Sequence, residues 1–89
     1  MRQNFIVCLE DACGCTVEFE RWPYKKAETC IQHMVELYGT YHSLYSKYLN
    51  EAARVVCYPT PDGYTRAEPV WAVTTEEFRE LMRQFKEER

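Results

Sequence analysis

The chain has 89 residues, a formal net charge of −3 and a hydrophobic content of 46%. This length makes a single domain, 1–89, and the apolar content is enough for one modest core, which excludes a disordered chain. The weak negative charge excludes a broad basic surface that would attract DNA or anionic lipid. The apolar run Phe5 to Leu9 is too short for a secretory signal or a membrane span, so we expect a cytoplasmic protein without a membrane partner.

The first part of the chain predicts a β-hairpin. Gln3 to Leu9 is rich in β-branched and aromatic residues, which is typical of a strand. Cys15 to Arg21 alternates strictly between apolar and polar positions. This alternation places Cys15, Val17 and Phe19 on one face, and it places Thr16, Glu18 and Glu20 on the other face, towards solvent.

The middle of the chain predicts helices. Pro23 suits the first turn of a helix, and apolar residues recur at helical spacing from Ala27. Gly39 is the expected C-terminal cap of this helix, and Thr40 to Ala53 again shows a helical period. We favour two helices that meet at a bend over one continuous helix, in which Gly39 would cost about 1 kcal/mol relative to alanine.

The last part of the chain predicts a second hairpin and a final helix. Arg54 to Tyr58 and Arg66 to Val73 are strand-like, and Pro69 marks the second of them as an edge or bulged strand. Thr74 and Glu77 have the spacing of a capping box. The order ββα(α)ββα predicts an α+β fold, with a four-stranded antiparallel sheet, two or three helices packed on one face, and solvent on the other.

The five cysteines predict reduced thiols, because an odd number without a secretory signal does not suit a disulfide framework. A tetrahedral zinc site is the alternative, with Cys13 and Cys15 in the hairpin connection and with Cys30 and His33 one helical turn apart. We disfavour this site because Cys30 lies on the apolar face of the predicted helix, whereas His33 is flanked by polar positions. We therefore expect no cofactor.

The sequence offers no recognisable catalytic group. No segment places a nucleophile beside an activating base, and a chain with three glycines has little room for a glycine-rich phosphate loop. We therefore expect a protein that is not an enzyme.

Cations and aromatic residues occur together at the junction of the second strand and the first helix. Arg21, Lys25 and Lys26 alternate there with Trp22 and Tyr24, and single-stranded nucleic acids bind to such mixtures of cations and stackable rings. The alternative function is therefore a small nucleic-acid-binding domain, with or without a zinc staple. The negative net charge makes it the less favoured one.

Four tyrosines spaced by three, four and three residues carry the preferred hypothesis: Tyr38, Tyr41, Tyr45 and Tyr48. On a continuous helix their arc overlaps the apolar arc of the first helix, so that some of the rings would simply cover the core. A bend at Gly39 would instead turn the last three of them outward, where a large apolar ring with a polar tip suits an interface. We predict a non-enzymatic interaction domain that binds a protein partner or a second copy of itself. The predicted contacts are Trp22, Tyr24, Tyr41, Tyr45 and Tyr48. An adaptor or a stoichiometric inhibitor, such as one encoded by a phage or a mobile element, would fit this description.

Overall fold

The computed structural model describes residues 4–62 and 65–87 of the chain. In chain order the elements are β1 (Asn4–Glu10), β2 (Thr16–Trp22), α1 (Ala27–Thr40), α2 (His42–Glu51), β3 (Arg54–Thr60), β4 (Trp71–Thr74) and α3 (Thr75–Glu87). The four strands form one antiparallel sheet in the order β2-β1-β3-β4. The predicted α+β fold and its element order are confirmed. Gln3, the predicted first strand residue, lies outside the described residues.

The main core lies between the helices and one face of the sheet. Its members are the inward-facing side chains of β1 and β3 and the apolar faces of the three helices: Phe5, Val7, Leu9, Cys30, Met34, Val35, Tyr38, Leu49, Val55, Cys57, Phe78 and Met82. Burial raises the pKa of the Cys30 thiol to about 11 and that of Cys57 to about 12. These thiols therefore stay protonated and serve as small apolar side chains.

A β-bulge sits near the start of β2. Leu9 pairs with Glu18, but the next residue of β1, Glu10, pairs with Thr16, so Val17 is an extra residue in β2. A bulge of this kind interrupts the regular alternation of faces, because two residues of one strand oppose a single residue of the other. The strict alternation read from the sequence therefore does not describe how β2 faces the core.

The bulge reverses the predicted faces of β2 from Glu18 onward, whereas Val17 itself packs against the main core. Glu18, Glu20 and Trp22 pair with core-facing residues of β1 and so lie on the helix side of the sheet. Phe19 points to the opposite side and is 45% exposed, and Cys15 is exposed in the hairpin connection. The prediction that Glu18 and Glu20 lie opposite the core-facing side chains was wrong.

At its centre, the face of the sheet away from the helices is not open to solvent, in contrast to the prediction. Ile6, Cys8 and Val56 point to this face, yet each is at most 3% exposed. The guanidinium carbon of Arg66, from the segment between β3 and β4, lies 5.4 Å from the centre of the Tyr58 ring. These two side chains help to cover the strands, so the sheet is buried on both faces at its centre.

The break between α1 and α2 falls at Tyr41, two residues after the predicted position. Tyr41 has φ −111° and ψ 46°, which do not continue the helix. Gly39 lies inside α1, where it is buried against the ring of Phe85. The prediction of two helices is confirmed, but the role of Gly39 as a C-terminal cap was wrong. A methyl group at this position would require the Phe85 ring to move by a few tenths of an ångström.

The other helix ends agree in part with the sequence. The first helix begins at Ala27, after an extended Lys26, so Pro23 lies in the connection rather than in its first turn. The predicted capping box is confirmed, because the N–H of Thr74 donates to Glu77 at 3.0 Å and the N–H of Glu77 donates to the Thr74 hydroxyl at 3.1 Å. Within the described ranges, no helix combines the length and the apolar character needed to cross a membrane.

Candidate functional site

Three nearly parallel rings meet where β2 passes into α1. Trp22 ends β2 on the helix side of the sheet, Tyr24 follows in the connection, and His33 lies on α1. The centroid of the His33 ring is 5.5 Å from that of Trp22 and 5.0 Å from that of Tyr24, with interplanar angles of 20° and 8°. All three side chains are half-buried, so this cluster is partly core and partly surface.

A shallow groove of about 300 Å³ adjoins these rings. It is lined by Trp22, His33, Glu36, Leu37, Thr40 and Tyr41. Tyr41 is 56% exposed because it stands at the break between the helices, and Leu44 in the next turn is 59% exposed. Trp22, Tyr24, His33, Tyr41 and Leu44 are referred to below as the aromatic surface. It combines a ring cluster of fixed geometry with two apolar side chains that face water.

The aromatic surface carries an unmet hydrogen-bonding requirement. The indole Nε1 of Trp22 is buried and has no acceptor within residues 4–62 and 65–87. A buried donor without a partner costs about 1–3 kcal/mol, so selection for stability alone would not favour it. His33 Nδ1, in the same groove, lies 3.8 Å from Oε2 of Glu36 on the next turn of α1.

Tyr45 and Tyr48 do not join the aromatic surface. The Tyr45 ring stacks on the buried Tyr38 ring, with their centroids 4.4 Å apart, and the Tyr48 ring lies 6.1 Å from that of Tyr45. Both are half-buried and pack against the core. The structure therefore divides the predicted stripe: Tyr41 is exposed, and Tyr38, Tyr45 and Tyr48 form a separate tyrosine cluster beside β2.

The cations predicted for the nucleic-acid alternative do not all lie on one surface either. Lys25 and Lys26 are exposed in the connection that carries Tyr24. Arg21 pairs with Ile6, and it therefore points to the side of the sheet opposite Trp22. The five residues do not form one continuous basic and aromatic surface, because neighbouring residues of a strand face opposite ways.

The zinc alternative is not assembled by the fold. Cys13 and Cys15 are exposed in the hairpin turn, whereas Cys30 is buried and its Sγ donates to the carbonyl of Lys26 at 3.5 Å. His33 is part of the ring cluster. In the described part of the chain, no three or more His, Cys, Asp or Glu side chains are placed to share a metal ion.

A polar network on the far face of the sheet gave no signal in the sequence. Glu10 is 3% exposed, and Arg54 Nε donates to its Oε1 at 2.9 Å. The Tyr58 hydroxyl donates to its other carboxylate oxygen, and this hydrogen bond, aided by burial, raises the pKa of Tyr58 to about 12. Glu10 is distant in sequence from both partners, so only the pairing of β1 with β3 reveals the contact. Because both oxygens of the Glu10 carboxylate accept hydrogen bonds, we assign a structural role to this network.

A second apolar groove lies on the far side of the molecule. It has a volume of about 320 Å³ and is lined by Trp71, Val73, Leu81, Glu77 and Glu80. Its apolar members are half-buried, and Glu77 is engaged in the capping box. It therefore lacks the strongly exposed apolar side chains that distinguish the aromatic surface.

Comparison with protein-family models, with curated proteins and with solved structures finds no match to this chain. A functional hypothesis therefore depends on the geometry of its surfaces.

Proposed function

We propose that this chain is a non-enzymatic, cytoplasmic protein-interaction domain that binds a partner protein through the aromatic surface. The observation that supports this most is the 56% exposure of Tyr41 in a groove lined by Trp22 and His33, with Leu44, 59% exposed, one turn further along the chain. Exposed apolar side chains next to partly buried aromatic rings are typical of binding hot spots. An adaptor or a stoichiometric inhibitor would act in this way, since binding alone needs no catalytic group.

The partner would place an apolar side chain in the groove. The rings of Trp22 and His33 are held by packing, so they lose little conformational freedom when a partner binds. Tyr41 and Leu44 would then be buried by the partner, which would remove their apolar surface from water. The hydroxyl of Tyr41 can stay at the rim, where it remains hydrated.

Site-specific photocrosslinking would test this proposal. A photoreactive phenylalanine analogue replaces Tyr41 in one version of the protein and Val70 in another. Val70 is a matched control because it is 55% exposed but lies in the segment before β4. We expect a discrete protein adduct from the first position and none from the second. Equal yields of the same adducts from both positions would contradict the proposal.

The crosslinked partner is then purified for binding measurements. The double variant Tyr41→Ser and Leu44→Ser should weaken its affinity by at least about tenfold, as loss of a hot spot does, whereas Val70→Ser should leave the affinity unchanged. An adduct with twice the mass of the chain would identify a second copy as the partner. An adduct with nucleic acid, together with a steep loss of affinity with salt, would instead favour the nucleic-acid alternative.

A further inference from the structure

We propose that Glu18, Glu20 and the tyrosine cluster form a binding site for a cationic side chain, a lysine or an arginine of the partner protein. This inference rests on the proposed function and identifies the chemistry of the partner. It starts from the bulge in β2, which turns two glutamates towards the helices rather than away from them.

The two glutamates form a like-charged pair without a counter-charge from residues 4–62 and 65–87. Glu18 and Glu20 are half-buried on the same face of β2, and alternate strand residues lie about 7 Å apart. The Glu18 carboxylate accepts a hydrogen bond from the N–H of Phe19 at 2.9 Å. Neither glutamate has an ion pair with a cation of the described residues. Partly desolvated carboxylates favour a positive partner, because burial penalises an unpaired charge.

A buried hydroxyl beside this pair is also without a partner. Tyr38 is fully buried, and its hydroxyl has no hydrogen bond within the part of the chain that the structure describes. Burial, with a further contribution from the charges of Glu18 and Glu20, raises the pKa of this hydroxyl. The helix α2 packs against β2, the strand that carries both glutamates, and Tyr45 of this helix stacks on Tyr38. The hydroxyl remains neutral, so its oxygen can accept a hydrogen bond from a cationic donor.

The aromatic rings add a second attraction for a cation. The Tyr45 ring stacks on Tyr38 and is half-buried, and the face of a tyrosine ring attracts ammonium and guanidinium groups. Lys47 illustrates this preference, because its Nζ lies 5.1 Å from the centre of the Tyr48 ring. Among the described residues, neither Lys47 nor any other cation makes an ion pair with either glutamate.

The position of this site favours a side chain of the partner over a free metal ion. Two carboxylates without a third ligating group are a poor set for a metal, and the ring faces suit an organic cation. Glu20 and Trp22 are two residues apart on the same face of β2, about 7 Å along the strand. A partner would therefore place its cation next to the apolar side chain that enters the groove.

Titration with butylammonium would test the cation site directly. The probe is added to protein with ¹³C-labelled tyrosine rings, and 1-butanol serves as the neutral control of similar size. We expect butylammonium, but not 1-butanol, to shift the ring signals of Tyr38 and Tyr45. The double variant Glu18→Gln and Glu20→Gln should weaken this binding by about tenfold, because charge-assisted contacts are lost. The variant Glu28→Gln and Glu51→Gln, which removes the same charge from exposed positions, should bind as the unmodified protein does.

The source of the cation is tested with two capped tripeptides, leucine–serine–lysine and leucine–serine–glutamine. Tighter binding of the lysine peptide, lost in the Glu18→Gln and Glu20→Gln variant, would support the proposal. Equal binding of the two peptides, or butylammonium shifts that persist in that variant, would overturn it. Photocrosslinking at Tyr41 does not depend on this result, so the cation site can fail while the aromatic surface still proves to be the interface.

Discussion

Gly39 lies directly against Phe85, and a Cβ atom on Gly39 would stand 3.1 Å from Cδ2 of that ring. This contact joins α1 to α3 at a point where any other residue would push the helices or the ring apart. It accounts for a glycine inside a helix, where glycine costs about 1 kcal/mol relative to alanine. Close packing of the two helices offsets the lost helix propensity.

We predict that Gly39→Ala and Phe85→Leu are energetically coupled. Alanine gains helix propensity in either background, but only in the parent protein does its methyl group meet the phenylalanine ring. We therefore expect the change in the free energy of unfolding caused by Gly39→Ala to be less favourable, by about 1 kcal/mol, in the parent than in the Phe85→Leu background. Urea unfolding of the four proteins in the double-mutant cycle measures this coupling. A coupling energy of zero would show that the ring yields to the methyl group without cost.

A second prediction concerns Glu20 and pH. Burial, together with the charge of Glu18, raises the pKa of the Glu20 carboxyl above its ordinary value of 4.5. The folded state therefore holds this proton more tightly than the unfolded state. The free energy of unfolding should fall as the pH rises from about 4.5 through the higher, folded pKa, and should remain lower at neutral pH.

Replacing Glu20 with glutamine removes this penalty. We expect Glu20→Gln to be more stable than the parent at about pH 7, with a smaller difference at about pH 4, where the parent carboxyl is mostly protonated in both states. Urea unfolding at the two pH values measures the change. Glu28→Gln serves as an exposed control that should show no such change with pH. A stabilising effect would also suit a residue retained for binding rather than for stability.

Local patterns in the sequence were sufficient for the fold class and the order of the elements but not for the site. Helical periodicity, the capping box of Thr74 and Glu77, and strand composition each reflect interactions within one element. The orientation of Glu18 and Glu20 depends on a bulge whose presence is set by pairing between β1 and β2. The strict alternation of apolar and polar residues shows no sign of that extra residue.

The separation of Tyr41 from the other three tyrosines also depends on a feature that local sequence patterns do not show. The sequence predicts a bend near Gly39, but the position of the break decides which rings face outward. With the break at Tyr41, that residue is exposed, while Tyr45 is carried back over the core onto Tyr38. A displacement of two residues changes the orientation of a helical side chain by about 200°. The aromatic character of the surface could therefore be predicted, but the residues that form it could not.

A third prediction concerns the buried carboxylate of Glu10. Glu10→Ala removes the acceptor of both Arg54 and Tyr58 and leaves a small cavity at the sheet surface. We expect a loss of about 2 kcal/mol in the free energy of unfolding. Glu10→Gln should cost less, because its amide oxygen still accepts one of the two hydrogen bonds. Urea unfolding of both variants tests this order, which equal losses would contradict.

The last prediction separates the two groups of tyrosines by their effect on stability. Tyr45→Ala removes a half-buried ring that stacks on Tyr38 at 4.4 Å, so we expect a loss of about 2 kcal/mol in the free energy of unfolding. Tyr41→Ala removes a ring that is 56% exposed, and should change stability by no more than about 0.5 kcal/mol.

Urea unfolding followed by circular dichroism measures both effects, and Tyr45→Phe is the matched control that keeps the stacked ring. If Tyr41→Ala were as damaging as Tyr45→Ala, Tyr41 would be needed for the break between α1 and α2 and could not serve as a test of binding. If the expected contrast is observed, a substitution at Tyr41 can abolish partner binding while the protein stays folded.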